Sequence, residues 1–148
     1  MLRYPYLAGD RPDRLRGIAE LEALVGGGRG GGGRSTVVVA TGDLFHHGIA
    51  YGNSPEEARA PEAGGLDLAR RSIETGLALL QDGDAWGYNR HSVAAKSDAR
   101  DVGQVLLHLL GPIEGRILDL TSEDMTGPYR KPAPSWVAGA LVQFRPTA

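Results

Sequence analysis

The chain has 148 residues, sixteen basic and eighteen acidic side chains for a net charge of −2, and no cysteine. That is one domain's worth of sequence, long enough to bury a core without disulfides. The composition excludes disulfide frameworks, thiolate metal sites and cysteine nucleophiles, gives no strong nucleic-acid signal, and contains no apolar run near the roughly 18 residues of a membrane span.

The first stretch, MLRYPYLAGDRPDRLRG, lacks the long apolar segment of a signal peptide, so a cytoplasmic protein is expected. Residues 1–25 read as an arm and a helix. Asp10 is placed to cap it, Pro12 suits its first turn, and Leu15, Ile18, Leu21, Leu24 and Val25 share one face. Residues 26–34, GGGRGGGGR, read as a Gly-rich linker. A phosphate loop would need a strand before it, a helix after it and a Gly-Lys-Ser/Thr end; here the order is reversed. Residues 35–148 then form a single α/β-type domain.

Within that domain, the β-branched run Val37–Val39 predicts a strand, Gly42-Asp43 a break, and HGIAY a second strand completing a hairpin. Ser54, Pro55 and Glu57 form a capping pattern, and Pro61 with Gly64-Gly65 keeps any helix there short. The clearest helix is LDLARRSIETGLALLQDG, whose apolar stripe is Leu66, Ala69, Ile73, Leu77 and Leu80. DAWGYNRHSV reads as a turn and a strand with Trp86 and Tyr88 on one face. Ser97 caps the next helix, lined by Val102, Val105, Leu106, Leu109 and Leu110 and stopped by Gly111-Pro112. GRILDL is a short buried strand, TSEDMTGPYRKPAPS a proline-broken loop, and SWVAGALVQF a closing strand. The expected fold is α/β or α+β: a single mixed sheet of about four to five strands packed by two main helices, plus the N-terminal helix on its linker.

Two stretches concentrate residue types that carry chemistry. GDLFHHG sets His46 and His47 three and four residues after Asp43, with His91 available as a further ligand or proton carrier. Adjacent strand residues point to opposite faces, so the two neighbouring histidines do not both reach one ion from an extended chain. The spacing matches no standard zinc signature and names no metal or other cofactor. WGYNRHS supplies apolar walls from Trp86 and Tyr88, an anion clamp from Arg90 and the imidazole of His91. His108 and the Glu56-Glu57 pair read as structural.

The favoured function on this reading is small-molecule binding or His-dependent chemistry, acid–base or metal-assisted. His46, His47, His91 and Asp43 would be the catalytic set, and Arg90, Trp86 and Tyr88 the substrate contacts. The alternative is a non-catalytic interaction or accessory module whose tethered N-terminal helix docks on a protein partner or a second copy.

Overall fold

A computed structural model describes residues 11–27 and 36–147, with most of the predicted glycine linker and the N-terminal arm through Asp10 lying outside them. The fold is α+β. The helices are α1 (Ile18–Gly27), α2 (Gly65–Gln81), α3 (Ala85–Ala94) and α4 (Arg100–Leu110); the strands are β1 (Phe45–Gly48), β2 (Ile113–Asp124) and β3 (Ser135–Pro146). Among the described residues the sheet has three strands in the order β1-β3-β2, fewer than the four to five expected. It is antiparallel throughout rather than mixed.

The missing strands have physical causes. Gly48 sits at φ 113 and ends β1, so Ile49–Tyr51 turns as a 3-10 helix instead of returning as a hairpin. Val37–Val39 has the right residue type but no partner strand among the described residues. Phe45 stands opposite Ala138, and the Leu44 N–H also donates to the Ala138 carbonyl at 3.0 Å. Two successive residues face one, which is the count of a β-bulge, and the described pairing of β1 with β3 ends there. Val37 and Val39 are each left 81% exposed.

The other strands are longer than expected. β2 runs on through Thr121–Asp124, polar residues that alternate outward while β3 supplies their pairing. A register shift between Ile117 and Asp119 leaves Leu118 as the extra residue. Before it Ile113, Gly115 and Ile117 take the less exposed positions, and after it Leu120 and Ser122 do. The bulge therefore keeps Asp119 off the packed face.

The helices follow their stripes. α2 buries Ala69, Ile73 and Leu80, and α4 buries Val105 and Leu106. Leu80, Tyr88, Leu106 and Ile113 make the main core, while Ala69, Trp136 and Ala138 make a second one at the β1 end. The expected N-terminal helix is split: a 3-10 turn at Pro12–Arg14, then α1 after Gly17, which adopts φ 84. Gly26 and Gly27 of the predicted linker belong to α1. Leu15, Ile18 and Leu21 pack on Val105 and Leu109 of α4, and His108 Nε2 meets Glu22 Oε1 at 2.7 Å. No helix among the described residues is long and apolar enough to cross a membrane.

The stretch WGYNRHSV is helix α3, not a strand. Asp84 caps it, its carboxylate accepting the Gly87 N–H at 2.7 Å, and Tyr88, Ser92 and Ala95 recur at helical spacing on the buried side. Trp86 and Tyr88 consequently do not share a face: Trp86 is exposed and Tyr88 buried.

Candidate metal centre

β1 separates the two neighbouring histidines, as alternation requires. His47 goes to the second core. Its ring stacks on Phe45 at 5.7 Å and tilts against Trp136 at 5.6 Å. Its Nε2 accepts the Arg59 N–H at 3.1 Å, while the Trp136 indole N–H donates to the Arg59 carbonyl at 2.8 Å. Burial holds the His47 pKa below the ordinary imidazole value, partly opposed by a hydrogen bond with the Glu57 backbone. A buried, neutral imidazole with Nε2 already occupied holds the chain between β1 and α2 in place.

His46 lies on the other face, against the turn that links α3 to α4. Its backbone N–H donates to the Ala95 carbonyl at 3.1 Å, and its ring stacks on Tyr51 with centroids 4.8 Å apart. Its Nδ1 is hydrogen-bonded to the Lys96 carbonyl. A carbonyl oxygen only accepts, so Nδ1 carries the proton. Lys96 stands at φ 55, a conformation that non-glycine residues rarely adopt, and its ammonium reaches Asn53 Oδ1 at 3.1 Å. The same Asn53 oxygen accepts the Gly48 N–H at 3.0 Å, so Asn53 ties the end of β1 to the α3–α4 turn.

Two carboxylates face the remaining nitrogen. Asp43 Oδ2 lies 3.3 Å from His46 Nε2. Asp98 is held beside it because its N–H donates to the Asp43 carbonyl at 3.0 Å, and Ser97 Oγ donates to the same carbonyl at 2.9 Å. One ligand atom from each of Asp43, His46 and Asp98 fits within 4.8 Å of the others. The Tyr51 phenol is pushed above its ordinary pKa, first by burial and then by the negative charge of Asp43 and other neighbours.

Of the residues expected to form a site, the structure brings together Asp43 and His46. It does not bring His47 or His91 to them. His91, on α3, gives its Nε2–H to the Ser72 carbonyl of α2 at 2.7 Å, and no described contact joins it to His46 or His47. Arg90 and Trp86 lie exposed on α3, and Tyr88 donates its hydroxyl to the Ala99 carbonyl at 3.2 Å. Asp98 and Lys96 were missed by sequence reasoning. The available signal was Asp98 beside the predicted cap Ser97, at a helix boundary where turns gather polar groups. No protein-family model, curated protein or solved structure matches the chain.

Proposed function

We propose that the protein binds a divalent transition-metal ion through Asp43, His46 and Asp98. One observation carries the reading: the Lys96 carbonyl fixes the His46 proton on Nδ1 and leaves Nε2 beside the Asp43 carboxylate. In neutral imidazole Nε2 is a lone pair, and a lone pair facing a carboxylate oxygen needs a cation between them. A backbone carbonyl behind the distal nitrogen is also the usual support of a metal-bound histidine, fixing tautomer and ring orientation. One imidazole with two carboxylates suits Zn²⁺ or Mn²⁺ better than Ca²⁺ or Mg²⁺, which prefer all-oxygen shells. Three protein ligands leave a position for water or substrate, so the chemistry is metal-assisted, acting on water or on a polarised carbonyl or phosphoryl group.

The test is metal titration of EDTA-stripped protein by calorimetry, with Zn²⁺ and Mn²⁺ as probes. The expected result is one ion per chain in wild type. His46→Ala, Asp43→Asn and Asp98→Asn should each weaken it by about tenfold or more while the thermal melt of the apo form is retained. Wild-type protein that takes up neither ion, or that binds them equally well in all three variants, would rule out Asp43, His46 and Asp98 as its metal site.

A further inference from the structure

Tyr51 stands beside the metal centre on a turn that the chain fixes from both sides. Gly48 at φ 113 and Gly52 at φ 80 fold Ile49–Tyr51 into a 3-10 turn directly after β1. Backbone bonds close it: the Gly52 N–H donates to the Ile49 carbonyl at 3.1 Å and the Asn53 N–H to the Gly48 carbonyl at 3.2 Å. The start of β3 pins it from outside, because the Ile49 N–H donates to the Pro134 carbonyl at 3.0 Å and the Ala50 N–H to Ser135 Oγ at 3.0 Å. On this backbone the Tyr51 ring is held by its stack on His46, with the rings 18° from parallel. Side chains locked by packing in this way hold the geometry that a binding site needs.

The hydroxyl of Tyr51 is not used by the fold. It makes no hydrogen bond among the described residues. It is also open to solvent, since no buried side-chain oxygen among them lacks a partner. A phenylalanine would stack on His46 equally well, so the oxygen is the part that packing leaves unexplained. Its position is informative. Besides burial, the groups that act on the phenol are Asp43, Tyr129 and Asp98. The two carboxylates gather at the Nε2 end of the His46 ring, so the hydroxyl lies toward that end and away from the Lys96 carbonyl at Nδ1. That end is the open one: the Asp43 side chain is 51% exposed, against 11% for His46. Tyr129, on the β2–β3 loop, is exposed beside it.

A ligand on the open position of the ion therefore meets a hydroxyl next to it. A phenol donates one hydrogen bond, and such bonds are about twice as strong to a charged acceptor as to a neutral one. The ligand that gains most has one oxygen for the ion and a second, sharing the same negative charge, for the phenol. We infer that the metal centre takes an oxyanion, one oxygen on the ion and another accepting the Tyr51 O–H, so that Tyr51 orients and selects the ligand. This rests on the metal proposal, and the test lets the two fail separately. Protein loaded with one Zn²⁺ and freed of excess metal is titrated with inorganic phosphate by calorimetry. Wild type should bind one phosphate. Tyr51→Phe keeps the ring and its stack and removes an oxygen that no described residue bonds, so it should melt like wild type and take up Zn²⁺ with the same affinity. Its phosphate affinity should fall about tenfold, as for loss of a hydrogen bond to a charged acceptor. Wild type that takes up no Zn²⁺ removes the metal reading and this one with it. Zn²⁺ uptake without phosphate binding overturns the oxyanion alone. Equal phosphate affinity in the two proteins overturns the role of Tyr51. Parallel losses of Zn²⁺ and phosphate in Tyr51→Phe overturn it too, since the residue would then act only by supporting His46.

Discussion

His46 and His47 differ by one position and do unrelated things. The first keeps a nitrogen facing two carboxylates; the second is buried between Phe45 and Trp136. Alternation in a strand was legible from the sequence, and the two rings lie on opposite faces as it expects of an extended chain. Which of the two faced the core was not legible, because that depends on Trp136, contributed by a strand about ninety residues later. The burial of His47 has a consequence in pH. Its folded pKa lies below the ordinary 6.5, so between the two values the unfolded chain binds more protons than the folded one. The stability it contributes is present above pH 6.5 and is lost as pH falls through the depressed value. Urea melts at pH 7.5 and 5.5 should therefore show wild type weakening on acidification. His47→Gln, which keeps an acceptor for the Arg59 N–H but does not titrate, should weaken less; equal weakening in both would place the sensitivity elsewhere. Gly48 is a second residue-scale test. Its φ of 113 and the Pro134 carbonyl, 2.0 Å from where a Cβ would lie, leave no room for a side chain. Gly48→Ala should cost at least about 2 kcal/mol in the same melts, and a neutral result would mean that β1 and the 132–135 turn separate easily.

Elements were legible where periodicity was long and illegible where it was short. α2 and α4 carry apolar stripes over several turns, and both form where their spacing put them. In α3 the alternating aromatics Trp86 and Tyr88 imitated a strand, yet the cap at Asp84 and the Tyr88-Ser92-Ala95 spacing were the better signal. Val37–Val39 has strand propensity without a strand, since propensity needs a partner edge and none of the described residues supplies one. The stripes also grade the core. Leu106 is 7% exposed within the main cluster, so Leu106→Ala should cost about 2–5 kcal/mol. Leu77 lies on the same kind of stripe but borders a cavity of about 760 Å³ between the helices and β3, where its truncation adds to a space already open. Leu77→Ala should cost roughly half as much, because the cavity term depends on the void newly made. Equal losses in chemical denaturation would mean that the cavity is filled or closed in the free protein.

At the scale of the molecule, the position of α1 bears on the interaction-module reading. A helix held ready for a partner would present its stripe to solvent. Here Ile18, at 7% exposure, sits with Val105, and Leu15, Leu21 and Leu109 close around them. Only Leu24 of that stripe is strongly exposed, at 51%. The polar contact between Glu22 and His108 lies at the edge of this seam and is open to solvent, so it fixes position more than it stabilises. The two substitutions should separate accordingly. Ile18→Asp puts an unpaired carboxylate into the seam and should cost about 3 kcal/mol or more. Glu22→Gln should change stability by no more than about 1 kcal/mol. Denaturant melts of both variants, read with the metal titration, complete the comparison. If Ile18→Asp is nearly silent, α1 leaves α4 readily and its apolar face is free to dock elsewhere, as the interaction-module reading requires. If it is costly while metal uptake by the remaining folded protein is unchanged, α1 is part of the core packing, and the function lies with the β1 end and the α3–α4 turn.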